Sequence, residues 1–150
     1  MDPKTLFLET ARSLRLTACG ACSIDFSKDL SQALSKAGPV PFAPAEAEKR
    51  LSPESLLPGA RSFFVILFPY KTEEREMGNI ALYARSEDYH RVNHRYMDRI
   101  IEVAAKAFPQ ARFKALPDTS PMEDRWLAYA AGRGFLGRNH CLIHPVYGSY

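Results

Sequence analysis

Cysteine is scarce in this chain, with three in 150 residues. No stretch reads C-x₂-C-x₂-C-x₃-C-P, so iron–sulfur clusters of the ferredoxin kind are not encoded here. An odd thiol count without a secretory leader points to reduced thiols and a cytoplasmic setting. Residues 1–15 carry acids and lack a continuous apolar run, which is not the pattern of a cleaved signal. No segment approaches the roughly 20 apolar residues that a membrane-spanning helix requires, so no membrane partner is expected. Charge of one sign is also missing: a net +3 permits nucleic-acid binding without arguing for it. Internal repeats and low-complexity tracts are absent. What remains is 46% hydrophobic and 25% charged, ordinary for a globular chain, and long enough for one domain, residues 1–150, with a core of its own.

Periodicity supplies the elements. Residues 3–16 read as an amphipathic helix with Leu6, Phe7, Thr10 and Leu14 on one side. Residues 16–26 read as a strand interrupted at Gly20. Ser27 is placed to cap a short helix over 28–36. Residues 38–44 are extended and turn-rich, and 45–51 look like a helical turn. The run SFFVILF at 62–68 predicts a central strand buried on both faces. Residues 71–78 form a charged loop, and 89–108 the longest helix. A further strand is expected at 113–116 and another at 141–143, followed by a turn at Gly148-Ser149. Helices and strands alternate, which favours an α+β (mixed α/β) domain with a central mixed sheet flanked by helices.

The densest punctuation lies in residues 117–150. Ser120, Pro121 and Glu123 have the spacing of a capping box with proline at N1, and Gly132 and Gly134 end the helix that follows. Asp118 sits between a strand and that helix, where a carboxylate serves equally as a capping group or as a working acid. Asp88 stands in the same position before the long helix, and two acids converging on one pocket would push their pKa values apart. His90 and His94 share a helix face, but no third metal ligand is placed by the sequence. Arg91, Arg95 and Arg99 form a stripe that Asp98 and Glu102 dilute, an exposed face or a phosphate contact. Cys19 and Cys22 form a CxxC within a strand, where positions three apart face opposite ways, so small core residues are expected. Gly132, Gly134 and Gly137 faintly resemble a dinucleotide loop, but they close a helix and do not open one.

Asp118-Thr119-Ser120-Pro121, Arg125, the Ala-Gly-x-Gly-Phe-x-Gly-Arg-Asn run and Tyr147-Gly148-Ser149 together resemble the amino-terminal domain of epoxyqueuosine reductases. Tyr83-Ala84-Arg85, Asp88-Tyr89-His90 and Leu57-Pro58-Gly59-Ala60-Arg61-Ser62 match further motifs of that family upstream. Lysine is usual where Arg138 stands. The resemblance implies a nitroreductase-like, cobalamin-binding domain. It implies reduction of the epoxide of epoxyqueuosine in tRNA, with Asp118 as proton donor and Asp88 as a second catalytic acid. It implies cobalamin held by Arg50, Ala81, Asp118, Asn139, His140 and Leu142, and substrate held by His90 and Arg125. The family's iron–sulfur clusters lie in a C-terminal ferredoxin-like segment that this sequence does not contain. Electrons would then come from a separate iron–sulfur protein or another donor, and the chain would be truncated and not self-sufficient. A non-catalytic cobalamin- or tRNA-binding module is the alternative.

Overall fold

The computed structural model describes residues 1–25, 28–37, 41, 47–70, 79–80, 84, 86–118 and 120–149. Helix α1 (Pro3–Ser13) starts at Asp2, whose carboxylate accepts from the Thr5 N–H at 3.1 Å, with Pro3 in the first turn, where it costs no hydrogen bond. The helix stops short of Leu16 because Arg15 takes a left-handed conformation, φ 63°, and Leu16 N–H returns to Ala11 O. Strand β1 (Cys19–Ser23) follows and pairs antiparallel with β2 (Ser62–Ile66), in register Cys19 to Ile66. Between them come α2 (Lys28–Ala37), α3 (Ala47–Leu51) and one 3₁₀ turn at Pro53–Ser55. The longest helix, α4 (Tyr89–Ala107), is capped by Asp88. Helix α5 (Asp124–Ala130) leads into an antiparallel meander of β3 (Phe135–Leu136), β4 (Leu142–His144) and β5 (Gly148–Ser149). The expected Ser27 cap and the charged loop at 71–78 lie outside the described residues, as does all but residue 41 of the expected stretch at 38–44.

The β1–β2 ribbon is covered on both faces. Side chains alternate along a strand, so Phe64 and Ile66 join Ala11, Leu16, Cys19 and Ile100 beneath α1 and α4. Val65 and Leu67 point the other way, against Ala128 of α5 and Leu142 of β4. Gly20 belongs to the strand and does not interrupt it. A Cβ there would lie 2.5 Å from Ala131 O, so its absence lets the end of α5 press against the ribbon.

Three expectations are corrected. Residues 62–68 were expected to form a central strand, and β2 does have packing on both faces, but among the described residues it has a strand neighbour on one edge only. Residues 113–116 are extended without a ladder among the described residues, and the strands described form two small antiparallel sheets, not one central mixed sheet. The capping box is not formed: α5 begins at Asp124, three residues past Pro121, with no side-chain cap. Glu123 is drawn away by an arginine, described next. The strand expected at 141–143 is shifted by one residue to β4 at Leu142–His144, and the Gly148-Ser149 turn becomes β5.

Candidate functional site

Asp118 occupies a left-handed backbone position, φ 55°, directly after the buried Pro117. Aspartate tolerates that region better than most residues, and the turn aims its carboxylate away from the chain before and after it. The Tyr89 hydroxyl donates to Asp118 Oδ2 at 2.5 Å. Tyr89 is the first residue of α4, so the start of that helix fixes where Asp118 sits. Asp88, the N-cap, accepts from His90 N–H at 2.9 Å and contacts His90 Nδ1 at 3.0 Å. The backbone bond, then the imidazole, hold the Asp88 carboxyl below the usual carboxylate range. The His90 ring stacks on Tyr89 with centroids 4.0 Å apart. Tyr89 thus stands between two acids: its bond to Asp118, some loss of solvent, and then the charges of Asp118 and Asp88 push its pKa up to about 12.

Asp124, at the start of α5, lines the same cavity as Asp118. Loss of solvent there, with the charges of Asp118 and Glu123 added, raises its pKa to about 6, against a smaller lowering by Arg125. The acid that Asp118 perturbs is therefore Asp124, while Asp88 is held ionised. Glu123 accepts from Arg50 Nε at 2.7 Å, and the same guanidinium's second nitrogen closes the pair. Arg50 is 13% exposed and Glu123 30%, so this pair ties α3 to the start of α5 in partly dry surroundings. Ser120 Oγ accepts from Met122 N–H at 3.2 Å, a local turn in place of the cap.

Arg125 points to the glycine loop. One guanidinium nitrogen donates to His140 O at 3.2 Å. His140 has φ 61° and an exposed ring, and its N–H returns to Gly137 O at 3.0 Å. Asn139 is exposed, and its Oδ1 accepts from Cys141 N–H. Leu142 is 1% exposed and lies in the core, with its backbone in the β3–β4 ladder. Ala81 lies outside the described residues. The structure therefore groups Asp118, Tyr89 and Asp124, links them through Glu123 to Arg50, and through Arg125 to the loop at 137–141.

The other expectations resolve simply. Among the described residues no group of three or more His, Cys, Asp or Glu is arranged to hold a metal. Arg95 pairs with Glu87 and Arg99 with Glu102, so the basic stripe is largely an exposed, neutralised face. Cys19 and Cys22 are free thiols whose pKa values burial pushes up, the opposite of a reactive pair. Sequence reasoning gave no role to Tyr89 or Asp124. Tyr89 was visible as the middle of the Asp88-Tyr89-His90 motif, and Asp124 as one of two adjacent acids.

A family model described as epoxyqueuosine reductase QueG, DUF1730, matches residues 50–119. The epoxyqueuosine reductase of Gloeobacter violaceus is 33% identical over 106 residues, covering 68% of this chain and 33% of that protein. A solved epoxyqueuosine reductase from Streptococcus thermophilus is similar in fold, with a TM-score of 0.85 at 24% identity, over 100% of this chain and 44% of that one. Another, crystallised with an epoxyqueuosine-modified tRNA-Tyr stem loop, has a TM-score of 0.76 at 28% identity, over 98% of this chain and 42% of that one. The chain spans about a third of the length of curated relatives such as that of Gloeobacter violaceus.

Proposed function

The chain belongs to the epoxyqueuosine reductase family, and from that premise we propose that it serves the cobalamin-dependent reduction of epoxyqueuosine in tRNA to queuosine, with Asp118 as the proton donor. The observation that carries this reading is the Asp118 turn: a carboxylate in a left-handed conformation, gripped by Tyr89, beside an acid whose pKa is raised to about 6.

The residues present fit a corrin ligand at the loop. A Cβ at Gly137 would lie 2.5 Å from Asn139 Oδ1, so a side chain there would displace Asn139, which with His140 is exposed on this loop. Asn139, His140, Leu142, Arg50 and Asp118 are the groups assigned to hold cobalamin, with Ala81 added by the family pattern. Bound cobalamin supplies the reducing electrons for the epoxide. Converting an oxirane to an alkene and water takes two electrons and two protons. Asp118 Oδ2 is engaged by the Tyr89 hydroxyl, which leaves Oδ1 as the oxygen that would carry a proton to the departing oxygen. Asp124, half-protonated near pH 6, is the neighbouring acid that would supply that proton to the ionised Asp118, and solvent would supply the second. Asp88 keeps α4 and His90 in place, and through Tyr89 it fixes Asp118. His90 and Arg125 are assigned to the substrate. The solved relative bound to a tRNA stem loop supports RNA as that substrate. Electrons are assigned to an iron–sulfur donor outside these 150 residues, and the setting to the cytoplasm. No helix among the described residues is long and apolar enough to cross a membrane.

The test is a titration of the purified chain with cob(II)alamin, followed by its visible spectrum, beside Gly137→Trp. Saturable binding with a base-off spectrum, lost in the loop variant, is expected. An unchanged spectrum in a folded sample would sink the cofactor assignment.

A further inference from the structure

Lys4, Leu8 and Arg12 are spaced four apart, so they stand one above another on a single stripe of α1. That stripe lines a cavity of about 260 Å³, which Cys19 and Gly20 of β1 and Arg133, just past α5, help to close. Arg133 is fixed at its inner end. Its Nε donates to Ala131 O at 3.1 Å, while its two terminal nitrogens meet no partner among the described residues. Gly20 makes room for it, since a Cβ there would lie 3.0 Å from Arg133 Nε.

Three cations thus share one small concavity with no acid among its lining residues. Lys4, Arg12 and Arg133 have no acidic partner among the described residues, whereas Arg95, Arg99 and Lys106 of α4 each pair with a carboxylate. Like charges gathered in a cleft focus the potential and concentrate counter-ions. Their field reaches the buried Cys19: burial pushes its thiol pKa up, and Arg133, then Arg12, pull it back. The Thr17 hydroxyl, bonded to the Tyr147 hydroxyl at 2.8 Å, adds a polar atom to the lining. The volume lies below the roughly 300–1,000 Å³ that encloses a drug-sized ligand, so the cavity takes one small anionic group and not a macrocycle.

We propose that this cavity is a phosphoryl-binding site, in which Lys4, Arg12 and Arg133 donate charge-assisted hydrogen bonds to the oxygens of one phosphate. Two guanidinium forks match a tetrahedral oxyanion, and the lysine adds a point charge. The phosphate is either a small free anion or one unit of an RNA backbone, which present the same oxygens. The site is separate from the acids around Asp118. Asp124 opens α5 and this cavity lies past its end, seven residues of helix on, or about 10 Å. It stands whether or not the chain binds cobalamin.

The test titrates inorganic phosphate into the nitrogen-15-labelled chain and follows the arginine Nε–H signals. Saturable shifts of Arg12 and Arg133 are expected. Affinity should fall at least about tenfold in Arg133→Gln and in Arg12→Gln, and stay unchanged in Lys106→Gln, which removes the same charge from α4. Thermal melts give a second readout. Phosphate raises the midpoint of the unaltered chain and leaves that of the doubly substituted Arg12→Gln, Arg133→Gln chain where it was. A short single-stranded RNA then identifies the source. If the phosphate belongs to RNA, the oligomer displaces inorganic phosphate, and the slope of log affinity against log salt falls by about 0.7 in Arg133→Gln. If it is a free anion, the oligomer leaves bound phosphate in place. Shifts that never saturate, or an equal loss in Lys106→Gln, would reduce the site to diffuse surface charge and overturn the proposal. Displacement of phosphate by cob(II)alamin would overturn it too, by giving the cavity to the cofactor.

Discussion

The Tyr89–Asp118 bond makes a specific claim about titration. Tyr89 has its pKa raised from 10.0 to about 12, so the folded chain keeps a proton that the unfolded chain loses. The stability this contributes is fully present below pH 10 and is lost as pH rises through 12. In Asp118→Asn the phenol loses the bond and the charge, so its absorbance titration at 295 nm is expected to shift toward the ordinary value. Asp124 titrates with the same sign at lower pH. Its folded pKa of about 6 lies above the ordinary 3.8, so ionising it near neutrality works against the fold, and the chain gains nothing from this group above pH 6. Carboxyl NMR should place its midpoint near 6, and lower in Asp118→Asn or Glu123→Gln. A midpoint near 4 in the unaltered chain would remove Asp124 from the site. Asp118→Asn should also cost about 10²–10⁴ in turnover in a full-length relative carrying the equivalent change, with cobalamin binding retained.

At the scale of elements, two close approaches carry the packing. Gly20→Ala puts a methyl against Ala131 O, 2.5 Å from the ideal Cβ, and is expected to cost about 1–3 kcal/mol by thermal melt. Leu142→Ala empties a position that is 1% exposed and should cost about 2–5 kcal/mol. A double-mutant cycle on Arg50 and Glu123 is expected to give a coupling of about 0.5–3 kcal/mol. A coupling near zero would mean that α3 and α5 are held together by other contacts. These elements were unequally legible in the sequence. α4 was read nearly to the residue, because a cap and a long apolar stripe act within one helix, while α1 was read three residues too long at its end, where Arg15 turns left-handed. The start of α5 was misread because Glu123 had two partners available, the Ser120 backbone and Arg50, and the nearer in sequence lost to the charged one. Strand character at 113–116 was read from composition, which is silent on whether a neighbouring strand is there to pair with.

Over the whole molecule, Asp118, Asp88, Arg125, Asn139 and His140 came from the motif resemblance, and the sheet from an apolar run alone. What could not be read was which of them touch: that Asp118 meets Tyr89, and that Arg125 holds His140 O, depends on packing between segments far apart in the chain. The same holds for β2, where an apolar run signalled cover on both faces, and the ribbon has it.

The β1–β2 register also sets a timetable. Cys19 pairs with Ile66 and Ser23 with Ser62, and the core beneath the ribbon closes on Ile100. On a ribosome, then, the first strand emerges with no partner and stays so through the making of α2 and α3. α1 waits longer still, until α4 has left the exit tunnel. The meander after α5 needs only neighbours close in sequence and forms quickly once made. The amino-terminal fifth of the chain is the last part to find shelter, and its apolar face of Phe7, Leu8 and Leu14 is the surface a chaperone would meet first.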